Sequence, residues 1–149
     1  MRRAISVRRS GGWPEHTALA TVTLDFTGRH RRRIRLTDDV GQPFLLDLSE
    51  ATRLDDGDGL VLEDGSFIRV AAAAEAVMDI RCRDSVLGLR IAWHVGNRHT
   101  PMQILHDGCL RIGVDEVLAD MIVGLGAEVK RHRAPFTPEA GAYHELGAT

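Results

Sequence analysis

The first half of the chain alternates apolar and polar positions with the two-residue period that is typical of β-strands. This alternation covers residues 19–26 and 31–36, and residues 44–48 form a further short apolar segment. Asp64-Gly65 lies between two β-rich segments, an arrangement that is typical of a tight hairpin. Because no long helix is needed in this half, the pattern predicts a small all-β domain over residues 1–73.

After this point the pattern mixes helix and strand periods. The predicted elements are, in order, a strand at 76–82, a helix at 86–95, a hairpin that turns at Asp107-Gly108, a helix at 115–125 and a strand at 127–133. Gly96 is expected to end the first helix by taking the left-handed conformation. The β-α-β-β-α-β order predicts a ferredoxin-like domain over residues 74–134, so the fold class is α+β. Residues 135–149 hold two prolines and two glycines and are expected to form a flexible C-terminal tail.

Composition excludes several classes of function. The chain has 149 residues and a net charge of −2, so the molecule as a whole is not drawn to nucleic acid or to an anionic membrane. Its apolar segments are too short to span a bilayer, and no signal peptide is recognisable, so a cytoplasmic location is expected. Cys82 and Cys109 are too far apart for a Cys-x-x-Cys metal site. No motif of nucleophilic or nucleotide-dependent catalysis occurs, so no enzymatic activity is expected.

Histidine is the main candidate for chemistry. The chain holds seven, which are His16, His30, His94, His99, His106, His132 and His144. His94 and His99 are five residues apart, which on a continuous helix separates them by about 140°, so the two would not share one ion. A symmetric dimer changes this, because one histidine beside a two-fold axis meets its own copy and supplies two ligands. Imidazole suits nickel, copper and zinc, and His144 in the tail is a further donor for such a site.

Residues 92–104, with the sequence Ala-Trp-His-Val-Gly-Asn-Arg-His-Thr-Pro-Met-Gln-Ile, closely resemble the signature of the urease accessory E proteins (UreE), the nickel metallochaperones of urease maturation. Three further segments agree with this family, and they cover residues 53–58, 115–126 and 134–144. The resemblance extends over essentially the whole chain. It implies a metallochaperone that delivers Ni²⁺ to apo-urease and that also binds Zn²⁺ or Cu²⁺.

The resemblance also implies roles for domains and residues. It implies an N-terminal domain that binds partner proteins and a C-terminal ferredoxin-like domain that binds metal and forms a homodimer. By matched motif, His99 is the metal ligand at the dimer interface, His144 is the tail histidine that completes the coordination, and His94 is a secondary candidate. The implied partners are a second copy of the chain, the urease apoprotein and the urease accessory GTPase (UreG), with no nucleic acid and no membrane.

Two departures from the family limit the expected amount of metal. Asp115-Glu116 stands where many members have an Asp-His pair, and the tail holds His144 alone instead of a histidine-rich run. The resemblance therefore implies about one ion per dimer and a carrier rather than a nickel store. An alternative hypothesis is a protein-binding chaperone or scaffold of the urease maturation complex, in which metal binding is incidental. Alternation places Arg31, Arg33 and Arg35 on one strand face, which fits a solvated face better than a nucleic-acid contact. In the alternative hypothesis this basic strand contacts the protein partners.

Overall fold

The structure is a computed structural model, and it describes residues 1–140 of the chain. The chain divides into two compact units, Met1–Ala73 and Ala74–Thr149. Within the described residues, no helix combines the length and the apolar character that crossing a membrane requires.

The N-terminal unit is built on one six-stranded sheet. Its strands are β1 (Arg2–Arg8), β2 (Ala20–Leu24), β3 (His30–Thr37), β4 (Pro43–Arg53), β5 (Gly59–Leu62) and β6 (Phe67–Ala72). Their order is β2-β6-β5-β1-β4-β3, with β1–β4 and β2–β6 parallel and the other pairs antiparallel. The only helical elements in residues 1–73 are two short 3-10 turns, Glu15–Thr17 and Thr27–Arg29. The predicted β-rich half and its Asp64-Gly65 hairpin are therefore confirmed, with Gly65 at a φ of 86°.

One face of this sheet forms the core of the N-terminal unit. On β4 the buried side chains Phe44, Leu46 and Leu48 alternate with more exposed neighbours, as the two-residue period requires. The core consists of Ala4, Val22, Phe44, Leu46, Leu48, Leu54, Leu60, Leu62, Ile68 and Val70. Burying each of the larger side chains contributes roughly 1.5–3 kcal/mol to folding, which makes this cluster the main source of the unit's stability.

Strand β1 is absent from the sequence-based prediction, although it lies inside the sheet between β5 and β4. Its segment, Arg-Arg-Ala-Ile-Ser-Val-Arg, has too many charges to indicate an internal strand. The charges are accommodated by acidic partners on neighbouring elements. Arg2 donates to Asp38 at 2.9 Å, and Arg3 forms ion pairs with Asp47 and Glu63 at 2.7 and 3.0 Å. These partners are 36 to 60 residues away in the chain, so no local pattern contains them.

The turn over residues 53–58 closes around a buried carboxylate. The Asp58 side chain accepts hydrogen bonds from the backbone N–H groups of Ser10 and Asp55, at 2.9 and 2.8 Å, and from the Arg9 guanidinium at 2.7 Å. A buried carboxylate is stable when charged and neutral donors satisfy its oxygens in this way. Asp58 therefore joins the segment after β1 to the loop before β5.

The C-terminal unit combines four strands with two helices. Its elements are β7 (Ala74–Arg81), α1 (Ser85–Asn97), β8 (Gln103–Ile104), β9 (Leu110–Gly113), α2 (Glu116–Gly124) and β10 (Glu128–Pro135). The sheet has the order β10-β7-β9-β8, and every neighbouring pair is antiparallel. Asp84 caps α1 by accepting from the Leu87 N–H at 2.8 Å, and Asp115 caps α2 by accepting from the Leu118 N–H at 3.0 Å.

The two helices cover one face of this sheet. The shared core consists of Met78, Ile80, Leu87, Ile91, Val95, Leu110, Ile112, Leu118, Ala119, Ile122 and Ala127. Strand side chains that alternate with these core residues point to the opposite face, which we call the open face of the sheet. Asp79 on β7 and Arg111 on β9 lie on the open face, directly opposite each other in the strand register.

Two predicted boundaries are corrected here. Gly96 was expected to end α1 in the left-handed conformation, but the helix continues through Asn97, and the residue with positive φ is His99. The flexible tail was expected from residue 135, but β10 includes Pro135, and Phe136 is buried. Backbone hydrogen bonds continue as far as Glu139, so residues 135–139 belong to the folded unit.

The open face carries an ion cluster around Asp79. The Arg111 guanidinium donates two hydrogen bonds to the Asp79 carboxylate, at 2.7 and 2.9 Å, and the His132 Nε2 atom lies 2.8 Å from one of its oxygens. The hydrogen bond from Arg111 holds the pKa of Asp79 below its usual range against the opposing effect of burial. His132 is thus partly buried beside the Asp79 carboxylate.

This cluster predicts an acid-dependent loss of stability. Replacing Asp79 by asparagine is expected to lower the free energy of unfolding by about 1–3 kcal/mol at neutral pH, because a charge-assisted pair is lost. A carboxyl group with a lowered folded-state pKa stabilises fully above its unfolded pKa of about 3.9, and the stabilisation is lost as pH falls through the folded value. The difference in urea stability between Asp79→Asn and wild type should therefore begin to shrink only as pH falls below about 4. Asp120→Asn, at an exposed position on α2, is the control and should keep the wild-type dependence of stability on pH. If Asp79→Asn also kept the wild-type dependence, the stabilising role assigned to the Asp79 carboxylate would be contradicted.

Candidate metal site

The C-terminal end of α1 positions His99. After the last helical residue, Asn97, the His99 N–H donates to the Gly96 carbonyl at 3.0 Å and the Thr100 N–H donates to the Val95 carbonyl at 3.2 Å. This pair of bonds defines the Schellman motif, which ends a helix with one residue in the left-handed conformation. His99 occupies that position, with a φ of 56°.

A histidine is unusual at this position. Within residues 1–140, His99 is the one non-glycine residue with positive φ, and the six others are glycines. The left-handed conformation costs an L-residue with a Cβ roughly 1–2 kcal/mol, a cost that glycine does not have. Backbone strain of this kind is typical of residues whose side chain has a function. The motif projects an exposed imidazole just beyond the end of the helix.

The structure separates the two histidines of the signature. His94 lies in the last turns of α1, is partly buried, and stands edge-on to the Trp93 ring with 5.0 Å between ring centroids. No described hydrogen bond or ring contact joins His94 to His99. His144 lies outside the described residues. Among residues 1–140, no three His, Cys, Asp or Glu side chains are grouped so that they would hold a metal ion.

The helix that precedes His99, α1, carries an apolar stripe that is exposed to solvent. Val86, Leu89 and Trp93 are 56%, 72% and 64% exposed. At 100° per residue these three side chains lie within about 60° of one another around the helix, on a face separate from the buried Leu87. Exposed apolar patches of this kind mark interaction surfaces in soluble proteins.

Comparison with known protein families matches both halves of the chain to the same family. The model of the UreE urease accessory protein N-terminal domain matches residues 3–73, and that of the UreE urease accessory protein C-terminal domain matches residues 75–149. The chain belongs to the UreE family. This confirms the resemblance seen in the signature around His99, and it covers the sheet-rich N-terminal unit and the α+β C-terminal unit.

Individual UreE proteins are similar over most of the chain. A urease accessory protein UreE of Rhodopseudomonas palustris (strain BisB18) is 51% identical over 143 residues, which are 96% of this chain and 67% of the relative. One of Bradyrhizobium sp. (strain ORS 278) is 51% identical over 145 residues, which are 97% of this chain and 68% of the relative. One of Chelativorans sp. (strain BNC1) is 52% identical over 126 residues, 85% of this chain and 79% of the relative. The chain thus spans about two thirds of the length of several relatives that it matches.

Sequence reasoning assigned no role to three residues that hold the segment after β10 in place. Gln103 and Glu139 hold the segment after β10 against β8, and Arg111 contacts the same segment. Gln103 and Glu139 lie in segments that carry the family resemblance, at 92–104 and 134–144, but the resemblance assigned no role to either of them, nor to Arg111. The signal that they carry is tertiary, because each contact joins positions 24 to 35 residues apart.

Proposed function

We propose that this member of the UreE family is a non-enzymatic nickel carrier that delivers Ni²⁺ as cargo to apo-urease during urease maturation. The observation that carries the proposal is the exposed histidine in a left-handed helix terminus, where glycine would be more stable. Selection for the imidazole explains why the chain accepts this backbone strain. Nitrogen donors suit Ni²⁺, and they bind Zn²⁺ and Cu²⁺ as well, so selectivity does not come from affinity alone.

The proposed site uses the His99 side chains of two chains in a homodimer. Dimer formation through the C-terminal unit would cover the apolar stripe of Val86, Leu89 and Trp93, which in a single chain is in contact with water. A two-fold axis beside His99 would then supply two imidazoles from one sequence position. His144 of one or both tails is the proposed additional ligand, and His94 is a secondary candidate because it is partly buried. A site with few protein ligands releases its ion readily, as a carrier must.

We also propose a division of labour between the units. The C-terminal unit is assigned as a ferredoxin-like domain for metal binding and dimerisation over residues 74–134, a class supported by the strand order β10-β7-β9-β8. The N-terminal unit, residues 1–73, is assigned to partner binding, with the urease apoprotein and the accessory GTPase UreG as partners. The exposed arginines Arg31, Arg33 and Arg35 lie on β3, at one edge of the six-stranded sheet, where a protein partner has access to them.

A nickel titration tests the proposed site. Calorimetry combined with light scattering on the full chain is expected to give about one Ni²⁺ per two chains and the mass of a dimer. His144→Ala is expected to weaken nickel binding by about 3- to 10-fold and to leave the stoichiometry unchanged, because the proposed tail ligand adds to a site that His99 already forms. One ion per monomer would contradict the shared site. An unchanged affinity in His144→Ala would remove the tail from it.

A further inference from the structure

Three exposed arginines follow one another at alternate positions of β3, and we call them the arginine row: Arg31, Arg33 and Arg35. Ile34, which alternates with them, is opposite the buried Leu46 on β4 and packs against the core of the N-terminal unit. Successive side chains of a strand point to opposite faces of the sheet. The arginine row therefore lies on the face of the six-stranded sheet that is turned away from the core.

The acidic groups near the arginine row do not balance its charge. Asp47 is opposite Arg33 in the register of β4 and β3, yet its carboxylate lies 2.7 Å from the Arg3 guanidinium and 3.9 Å from that of Arg33. Within residues 1–140, Arg31 and Arg35 form no ion pair with an acidic side chain. The row thus presents three positive charges, of which one has a long contact to a carboxylate that Arg3 already binds.

This part of the sheet stabilises a carboxylate in its charged form. The hydrogen bond from Arg3 holds the pKa of Asp47 below its usual range, and the nearby charges of Arg33 and Arg32 lower it further. Burial of Asp47 opposes these effects and is outweighed. A carboxylate brought by another molecule to the arginine row would be stabilised by the same charges. The chemistry of the row therefore suits an acidic ligand.

The geometry of β3 selects the shape of that ligand. Side chains on one face of a strand recur every two residues, or about 6.6 Å. Carboxylates on alternate residues of a second extended segment recur at the same interval, so one such segment can reach all three arginines in one register. Each guanidinium can hold a carboxylate through two parallel hydrogen bonds. β3 is an end strand of the sheet and pairs with β4 alone, so a segment of a partner protein can lie along it.

Nucleic acid is the other polyanion that arginines attract, and the structure favours a polypeptide. Single-stranded nucleic acid is held by aromatic side chains on which its bases stack. None of the phenylalanine and tryptophan side chains of residues 1–73 is exposed, because each is buried or half-buried: Trp13, Phe26, Phe44 and Phe67. The net charge of the chain is −2, so the molecule as a whole does not attract a phosphate backbone.

We propose that the arginine row is a docking surface for an extended acidic segment of a partner protein, whose carboxylates on alternate residues bind Arg31, Arg33 and Arg35. This inference rests on the proposed partner-binding role of the N-terminal unit and names the chemistry of the partner. It does not depend on the nickel site, because all three arginines belong to the N-terminal unit. The pairs are exposed to solvent, so the association weakens as salt concentration rises.

Fluorescence anisotropy of the full chain with a labelled peptide tests this surface. The probe is a twelve-residue peptide of alternating glutamate and threonine at low salt concentration. Combining Arg31→Gln, Arg33→Gln and Arg35→Gln is expected to weaken its binding by about 10-fold. A second peptide of the same composition, with its glutamates in one block, should bind wild type about 3-fold more weakly than the alternating peptide, because it cannot match the two-residue interval of the row.

The matched control combines Arg8→Gln, Arg81→Gln and Arg90→Gln, which change the net charge equally at exposed arginines elsewhere. This control should bind the alternating peptide within about 2-fold of wild type, because charges outside the row are screened from the peptide. Urea unfolding of the triple β3 variant should keep at least the wild-type midpoint, because like charges are removed from one strand. Its nickel titration should match that of wild type.

The other outcomes overturn the proposal. If wild type does not bind the alternating peptide, or the β3 variant binds it as tightly as wild type, the arginine row is not a docking surface for acidic segments. Equal binding of the two peptides would show that net charge alone is recognised. If oligouridylate of the same length binds wild type more tightly than the peptide and the β3 variant loses it, the surface is one for nucleic acid. If the β3 variant keeps wild-type affinity for apo-urease and for UreG, the N-terminal unit binds these partners elsewhere. Absence of nickel binding in wild type would refute the carrier without changing the peptide result, so the two failures are distinguishable.

Discussion

Replacing His99 by glycine is expected to weaken nickel binding by at least about 100-fold while raising the free energy of unfolding by about 0.5–1 kcal/mol. The affinity should fall because one substitution would remove both imidazoles of the proposed site on a two-fold axis. The stability rises because His99 has a φ of 56° at the end of α1, and glycine adopts that conformation without a steric penalty. If His99 only capped the helix, its replacement by glycine would raise the free energy of unfolding without weakening nickel binding.

The measurements are calorimetric nickel titration and urea unfolding of the metal-free chain. His99→Ala separates the two effects, because it removes the imidazole but keeps a Cβ in the left-handed conformation, so it should lose binding without gaining stability. His16→Ala, at an exposed histidine of the N-terminal unit, is the matched control and should leave binding unchanged. Undiminished binding in His99→Ala would refute the site, and a glycine variant less stable than the alanine variant would refute the strain.

The same His99→Ala variant separates the carrier from the alternative of a scaffold in which metal is incidental. The test compares urease activation in cells that rely on this chain and grow with limiting nickel. A carrier with a broken site should fail to support activation, and added nickel should restore it. Full activation by His99→Ala at limiting nickel would favour the scaffold, with partner binding through the N-terminal unit as the function.

Replacing Asp58 by alanine is expected to destabilise the N-terminal unit by about 3 kcal/mol or more. The substitution leaves the backbone N–H groups of Ser10 and Asp55 and the Arg9 guanidinium without the carboxylate that accepts from all three. Unsatisfied donors of this kind cost about 1–3 kcal/mol each, and the values add only in part because the three share one acceptor. The loss should affect the whole connection between β1 and β5.

Urea unfolding followed by tryptophan fluorescence measures this loss, because Trp13 lies in the same region and donates from its Nε1 atom to the Gly57 carbonyl at 3.1 Å. Glu50→Ala removes an exposed carboxylate from β4 and is the matched control, with an expected change within about 0.5 kcal/mol. A change for Asp58→Ala no larger than that of Glu50→Ala would show that water satisfies these donors instead.

The spacing of apolar and turn residues was sufficient to predict an element wherever its buried positions recur with one period along a continuous segment. The apolar stripe of Leu87, Ile91 and Val95 predicts α1, and Asp-Gly turns predict both hairpins, because each signal lies within a few residues. The pattern failed for β1, whose charges are satisfied by distant carboxylates, and for the Asp79 cluster, whose members come from β7, β9 and β10. Pairing between distant segments leaves no periodic trace in either one.

The sequence by itself determined the order of the elements, the chemistry of the candidate donors and, through the signature at residues 92–104, membership of the UreE family. These three conclusions follow from residue types and short spacings, which can be read from the sequence without knowing the fold. Only the tertiary structure decided that His99, and not Gly96, takes the left-handed position, and that Glu139 joins the chain after Pro135 to β8 by hydrogen bonds. The first depends on the residue at which the terminal hydrogen bonds of the helix close, and the second on hydrogen bonds between distant segments, since the β8 edge needs a partner.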